Sequence, residues 1–107
     1  MPKKLTPDEV AQALEGNGEV VLLDVRDSAQ VAEKGSIAGH RNIPLKELEQ
    51  RLSELPHNKP VITACNRGGS AGRAANLLEQ HGFNVLGSAG VEEWKDQGKP
   101  VVYRGKR

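Results

Sequence analysis

The chain's single cysteine, Cys65, stands in the run Ala64-Cys65-Asn66-Arg67-Gly68-Gly69-Ser70-Ala71. A thiol followed by two glycines and a run of small residues could form a nucleophile and an anion cradle in one loop. Gly68 and Gly69 carry no Cβ, so the backbone around them reaches φ values closed to other residues and turns several N–H groups inward. Ala71, Ala74, Ala75 and Leu78 mark one face of a helix that starts at this loop and stops at Gly82. Its first turn adds unpaired N–H groups and the positive end of the helix dipole, with Arg67 beside it. These surroundings favour a thiolate, the reactive form of cysteine. They suit an anionic substrate or a developing oxyanion equally well. Ser70 is expected to cap the helix, and Arg73, one turn on, adds positive potential.

The chain offers no obvious general base. His40, His57 and His81 are distant from Cys65 in sequence, and His81 falls at the far end of the helix that begins at the loop. A cysteine activated by its environment, attacking a substrate that needs little proton transfer, therefore fits better than a Cys–His hydrolase. The histidines lack metal-site spacing, and one cysteine forms no internal disulfide, so no metal is expected. A lone cysteine is more often an inert buried side chain. The succession of strand, cysteine, glycine turn and helix weighs against that here.

The elements that must position this loop alternate along the chain. Thr6-Pro7-Asp8-Glu9 reads as a capping box with proline in the first turn, opening a helix with Val10, Ala13 and Leu14 on one face and Gly16-Asn17-Gly18 at its end. Val20 to Val25 is a continuous apolar run, a strand buried on both faces as in a parallel sheet covered by helices. Asp27 to Gly35 reads as a brief helix capped by Asp27 or Ser28. A short strand is expected near Arg41 to Ile43. Leu45, Leu48, Leu52 and Leu55 form the apolar stripe of one helix ended by Pro56. Pro60 to Ala64 is a second buried strand, which makes Cys65 to Gly69 the strand-to-helix turn. Asn84 to Gly87 supplies another strand, Val91 to Gln97 a helix carrying a core Trp94, and Lys99 to Val102 an extended end. This order predicts an α/β domain with a mostly parallel central sheet flanked by helices and right-handed crossovers. In such a sheet, ligands sit at the carboxyl ends of the strands, where Cys65 lies.

Length and composition limit the remaining possibilities. The 107 residues suit one domain, 1–107, with its core between about residues 5 and 102. Fifteen Lys and Arg against fourteen Asp and Glu leave a net charge of +1, giving no argument for a nucleic-acid or membrane partner. The aromatic residues are only Phe83, Trp94 and Tyr103, too few for a base-stacking platform. No apolar run approaches the roughly 20 residues of a membrane span, and the N-terminal residues lack the apolar core of a signal peptide. A cytoplasmic protein is expected.

Four segments in order resemble the rhodanese sulfurtransferase family. Leu22-Leu23-Asp24-Val25-Arg26 is similar to its first signature, and Gly35-Ser36-Ile37-Ala38-Gly39 with Asn42-Ile43-Pro44 to its second. Cys65 to Ser70 is similar to its active-site loop, and Ala89-Gly90 through Trp94 to Gly98-Lys99-Pro100-Val101 is similar to its ending. Such order across about 80 residues is far more specific than any one motif. The resemblance implies a single rhodanese-like domain in which Cys65 takes a sulfane sulfur from thiosulfate or a related anionic donor. The resulting persulfide passes it to cyanide, a thiol or a protein acceptor, with no cofactor. It also implies that N–H groups from Asn66, Arg67, Gly68, Gly69, Ser70 and Ala71 surround the sulfur, with Asp24, Arg26 and Arg73 as supporting positions. Related phosphatases and arsenate reductases have a longer loop with an Arg where this chain has Ala71, so those activities fit poorly. Ser70 stands where many members carry Arg. That departure motivates the alternative of a non-catalytic interaction or regulatory domain on the same scaffold. Ser36 and Ala89 replace a common His and Gly at positions more often structural than chemical.

Overall fold

The computed structural model describes residues 3–16 and 19–103. Four parallel strands, β1 (Val21–Asp24), β2 (Arg41–Asn42), β3 (Val61–Cys65) and β4 (Val85–Gly90), form one sheet in the order β2-β1-β3-β4. Five helices connect and cover them: α1 (Pro7–Ala13), α2 (Ser28–Lys34), α3 (Leu45–Leu48), α4 (Gly69–Gln80) and α5 (Val91–Asp96). The α/β architecture with a parallel central sheet is the one that alternating apolar runs and helical stripes imply.

The two central strands are buried along their whole length, because each face meets a different helical layer. Val21, Leu23 and Val61 point to one side, where Leu48, Ala74 and Leu78 cover them. Leu22, Ile62 and Ala64 point to the other, against Val10 of α1 and Val91 and Trp94 of α5. Strand period and helix stripe thus produce two cores sharing one sheet. Trp94 is core, as expected, and its indole N–H donates to the Pro100 carbonyl at 2.8 Å.

Helix α1 starts on the capping box read from the sequence: the Glu9 N–H donates to the Thr6 hydroxyl, and the Glu9 carboxylate accepts from the Thr6 N–H. The helix ends at Ala13, and of its expected stop signal, Asn17 and Gly18 lie outside the described residues. Gly35 ends α2 at φ 79°.

Three local expectations need correction. The leucine stripe from Leu45 to Leu55 is not one regular helix: α3 gives way to a 3₁₀ segment, Glu49–Glu54, with Arg51 off helical geometry at φ −118°, ψ 17°. The three-residue step from Leu52 to Leu55 matches the tighter turn, so the apolar stripe survives the change. Strand β4 runs to Gly90 rather than stopping at Gly87. Its Gly-Ser-Ala-Gly end has weak strand propensity, and small residues are required because other backbone comes close. A Cβ on Gly87 would lie 2.5 Å from the Lys3 carbonyl oxygen. Finally, Ser70 does not cap α4: the cap is Gly68 in left-handed geometry, φ 106°, with no side-chain cap bond.

Both described chain ends are fastened to the sheet region. Ser88 accepts from the Leu5 N–H and donates to the Lys3 carbonyl, each at 2.7 Å. Val102 pairs with Ser36 through two backbone hydrogen bonds of 2.7 and 2.9 Å. No described helix is long and apolar enough to cross a membrane.

Candidate active site around Cys65

Cys65 is the last residue of β3 and is 4% exposed. Asn66, Arg67 and Gly68 make the turn, and α4 starts at once, so the strand delivers the sulfur to the helix N-terminus. The N–H groups of Gly68 and Ala71 both donate to Sγ, at 2.9 and 3.3 Å. The left-handed φ of Gly68 bends the turn back over the sulfur, a conformation costly for any residue with a Cβ. These two donors favour negative charge on sulfur.

Above the sulfur opens a cavity of about 540 Å³. The Cys65 loop, including Gly69 and Ser70, forms one wall. Opposite lie Arg26 and Asp27 after β1 and Leu45 and Lys46 at the start of α3. The mouth thus holds two exposed cations, Arg67 and Lys46, with Asp27 the one acid lining it. None of the three histidines lines the cavity. The buried His40 has Nδ1 2.8 Å from the Ile37 carbonyl, His57 stacks on Phe83 at 3.9 Å, and His81 ends α4.

The loop is held from four sides. Arg26 Nη1 donates to Asn66 Oδ1 at 3.1 Å, and the Glu92 N–H at the start of α5 donates to the Asn66 carbonyl at 3.0 Å. The Lys4 ammonium donates to the Arg67 carbonyl at 2.7 Å. Thr63, fully buried, donates its hydroxyl to the Ala71 carbonyl at 2.8 Å, tying β3 to the first turn of α4. Gly90 lets the loop come this close, since a Cβ there would lie 3.2 Å from the Asn66 carbonyl oxygen.

Behind the loop, Asp24 and Arg26 form a buried pair with side chains 0% and 2% exposed. Arg26 donates from Nη2 to Asp24 Oδ2 at 2.6 Å and from Nε to Oδ1 at 3.0 Å. The carboxylate also accepts from the Ser36 hydroxyl at 2.6 Å and the Arg26 N–H at 3.0 Å. Arg26 spends a further N–H on the Gly35 carbonyl. A buried ion pair is tolerable only when its remaining donors and acceptors are matched, as they are here. The hydroxyl of Ser36, itself fully buried, serves this network.

The residues singled out from the sequence thus divide. Cys65, Asn66, Arg67, Gly68, Gly69, Ser70 and Ala71 do converge, but only the Gly68 and Ala71 N–H groups reach Sγ among the described residues. The Asn66 side chain is turned toward Arg26 and braces the loop. Asp24 and Arg26 support it from beneath, whereas Arg73 is exposed on α4 and lines no part of the cavity. Sequence reasoning missed Lys4, Thr63 and Lys46. A polar residue inside the apolar run Val61 to Ala64 was a signal for Thr63. Lys4 and Lys46 carried none, because only tertiary structure brings them to the loop and the cavity. Among the described residues, no cluster of three or more His, Cys, Asp or Glu is arranged to hold a metal.

The parallel four-stranded sheet flanked by helices is the fold that comparison with solved structures matches. The family description "Rhodanese-like domain" matches residues 6–97, and the chain belongs to that family. It is 38% identical to the uncharacterized protein YqhL of Bacillus subtilis, with 86% of this chain and 71% of that protein aligned. It is 34% identical to the thiosulfate sulfurtransferase GlpE of Pseudomonas syringae, over 86% and 87% of the two chains. A rhodanese-related protein from Thermoplasma volcanium superposes with a TM-score of 0.85 at 27% identity, covering 95% of this chain and 99% of that one.

Proposed function

We propose that this domain is a sulfurtransferase that carries sulfane sulfur on Cys65. The observation that carries the reading is the Cys65 sulfur on the floor of an open cavity with the N–H groups of Gly68 and Ala71 donating to it. The Cys65 thiolate attacks the outer sulfur of thiosulfate or a related anionic donor. A Cys–S–S bond forms, and the donor's S–S bond breaks with its electron pair leaving on sulfite. Cyanide, a thiol or a protein acceptor then attacks the persulfide's outer sulfur and the thiolate is restored. Thiolate, thiosulfate and persulfide are all anions, so the two N–H donors serve before and after transfer. No proton need move in the cyanide reaction, which agrees with a cavity that no histidine lines.

Arg67 and Lys46 at the mouth attract the anionic donor, and the small side chain of Ser70 lines the same cavity. At position 71 a buried methyl lies beside an N–H, so the bidentate guanidinium clamp that phosphoryl or arsenate chemistry uses is missing. A cytoplasmic setting, with low-molecular-weight thiols at hand as acceptors, accords with this role.

The test is intact mass. Incubation with thiosulfate adds the mass of one sulfur atom, cyanide removes it with release of thiocyanate, and Cys65→Ser gains none. A wild-type chain that takes no sulfur from thiosulfate, an organic thiosulfonate or a persulfide overturns the proposal.

A further inference from the structure

We infer that Lys4 is a positioning residue for the Cys65 loop: its ammonium grips the peptide group between Arg67 and Gly68 so that the N–H of that same group points at sulfur. The inference rests on the reading of Cys65 as the sulfur carrier. In a trans peptide the C=O and N–H point in opposite directions, and no cis peptide occurs among the described residues. Lys4 Nζ lies 2.7 Å from the Arg67 oxygen on one side, and the Gly68 nitrogen lies 2.9 Å from Sγ on the other. One peptide group is therefore held between a cation and the reacting atom.

The grip acts in two ways. A charge-assisted bond to the carbonyl is stronger than a neutral one, and it polarises the peptide so that its N–H becomes a better donor to anionic sulfur. It also restrains a turn whose glycine, at φ 106°, has more freedom than any other residue type. The lysine packs directly on this glycine, since a Cβ on Gly68 would lie 3.2 Å from Lys4 Cε and Nζ.

Lys4 is itself fixed. Its ammonium pairs with Glu93 of α5 at 2.9 Å, and the residues on either side of it bond to Ser88 of β4. The pair is half-exposed, so its worth lies in geometry more than in Coulomb energy. Lys4 does not line the cavity, which separates its role from donor binding. It orients a donor that acts on the thiolate and on the persulfide.

The experiment uses the full chain with Lys4→Met, which keeps the stem and removes the charge, and Lys4→Arg, which restores a cationic donor. Two readouts are taken with thiosulfate and cyanide as substrates: the amide proton resonance of Gly68, and the separate kcat and KM. Lys4→Met is expected to move the Gly68 amide proton upfield and to lower kcat about tenfold at unchanged thiosulfate KM. That is less than the 10²–10³ seen when an oxyanion donor is lost outright. Lys4→Arg recovers most of both. An unmoved Gly68 resonance, an unchanged kcat, a loss confined to KM, or an arginine variant as impaired as the methionine one overturns the inference. If the wild type takes up no sulfur, the functional proposal fails by itself and the Gly68 resonance still decides the role of Lys4.

Discussion

Removing the Arg26 guanidinium tests whether the buried pair holds the site together. In Arg26→Met the stem is kept while Asp24, fully buried, loses three of its five hydrogen-bonding contacts, those to Nε and Nη2. The contacts from the Ser36 hydroxyl and the residue-26 N–H remain. Gly35 and Asn66 each lose a partner as well. Breaking a buried pair from one side costs about 3–5 kcal/mol. The two contacts left on Asp24 put the expected cost at the lower end, about 3 kcal/mol, which lowers the melting temperature of a domain this size by about 15 °C. Urea unfolding monitored by Trp94 fluorescence measures it. Asp24→Asn combined with Arg26→Met removes the stranded charge while keeping acceptors for Ser36, so the double variant is expected to be more stable than Arg26→Met alone. A single-variant cost below about 1 kcal/mol, or a double variant no better than the single, refutes the account of this network.

Gly90→Ala tests the close approach of loop and strand. The new methyl meets Glu93 Oε1 at 2.7 Å, the Asn66 oxygen at 3.2 Å and the Arg67 Cα at 3.3 Å, so the loop must shift. A loss of about 1–3 kcal/mol with slower sulfur loading is expected, and wild-type loading by an equally stable variant counts against the packing argument. The capping box carries a pH signature. The Thr6 backbone N–H, and then Lys3, hold the Glu9 carboxyl below the ordinary carboxylate range. A depressed folded value means stability that is present above the unfolded value and is lost as pH falls through the folded one. Glu9→Gln should therefore melt below the wild type at neutral pH, and the gap should close in acid. A gap that persists in acid removes Glu9 ionisation as its cause.

How much of this was legible in the sequence depends on how local the cause is. The capping box at Thr6, the buried runs around Leu22 and Ile62, and the helix stripe from Ala71 to Leu78 are set by neighbouring residues, and the structure follows them closely. The Cys65 turn was legible for the same reason, since the glycines that bend it lie within four residues of the thiol. What escaped depends on pairing across the chain. Strand β4 runs through Gly87 to Gly90 because β3 and the Lys3–Leu5 segment supply its hydrogen bonds, which no strand propensity records. The break after Leu48 was hidden because spacings of three and four serve an α-helix and a 3₁₀ turn alike. Lys4 and Lys46 look like surface lysines in any window of sequence. Ser70 has the residue type of a cap, yet the backbone freedom of Gly68 moved the cap two residues earlier.

The four supports of the Cys65 loop come from residues 4, 26, 63 and 92, which span nearly the whole described chain. A nascent chain cannot assemble them until α5 has emerged from the ribosome and packed against the sheet. Until then the cysteine has its two local N–H donors but not the distant supports that hold their loop in place. Under the proposed sulfurtransferase reading, the rate of sulfur loading reports on these distant supports together: losing one slows it, and a domain without α5, which lacks the Glu92 support, loads more slowly than the whole one.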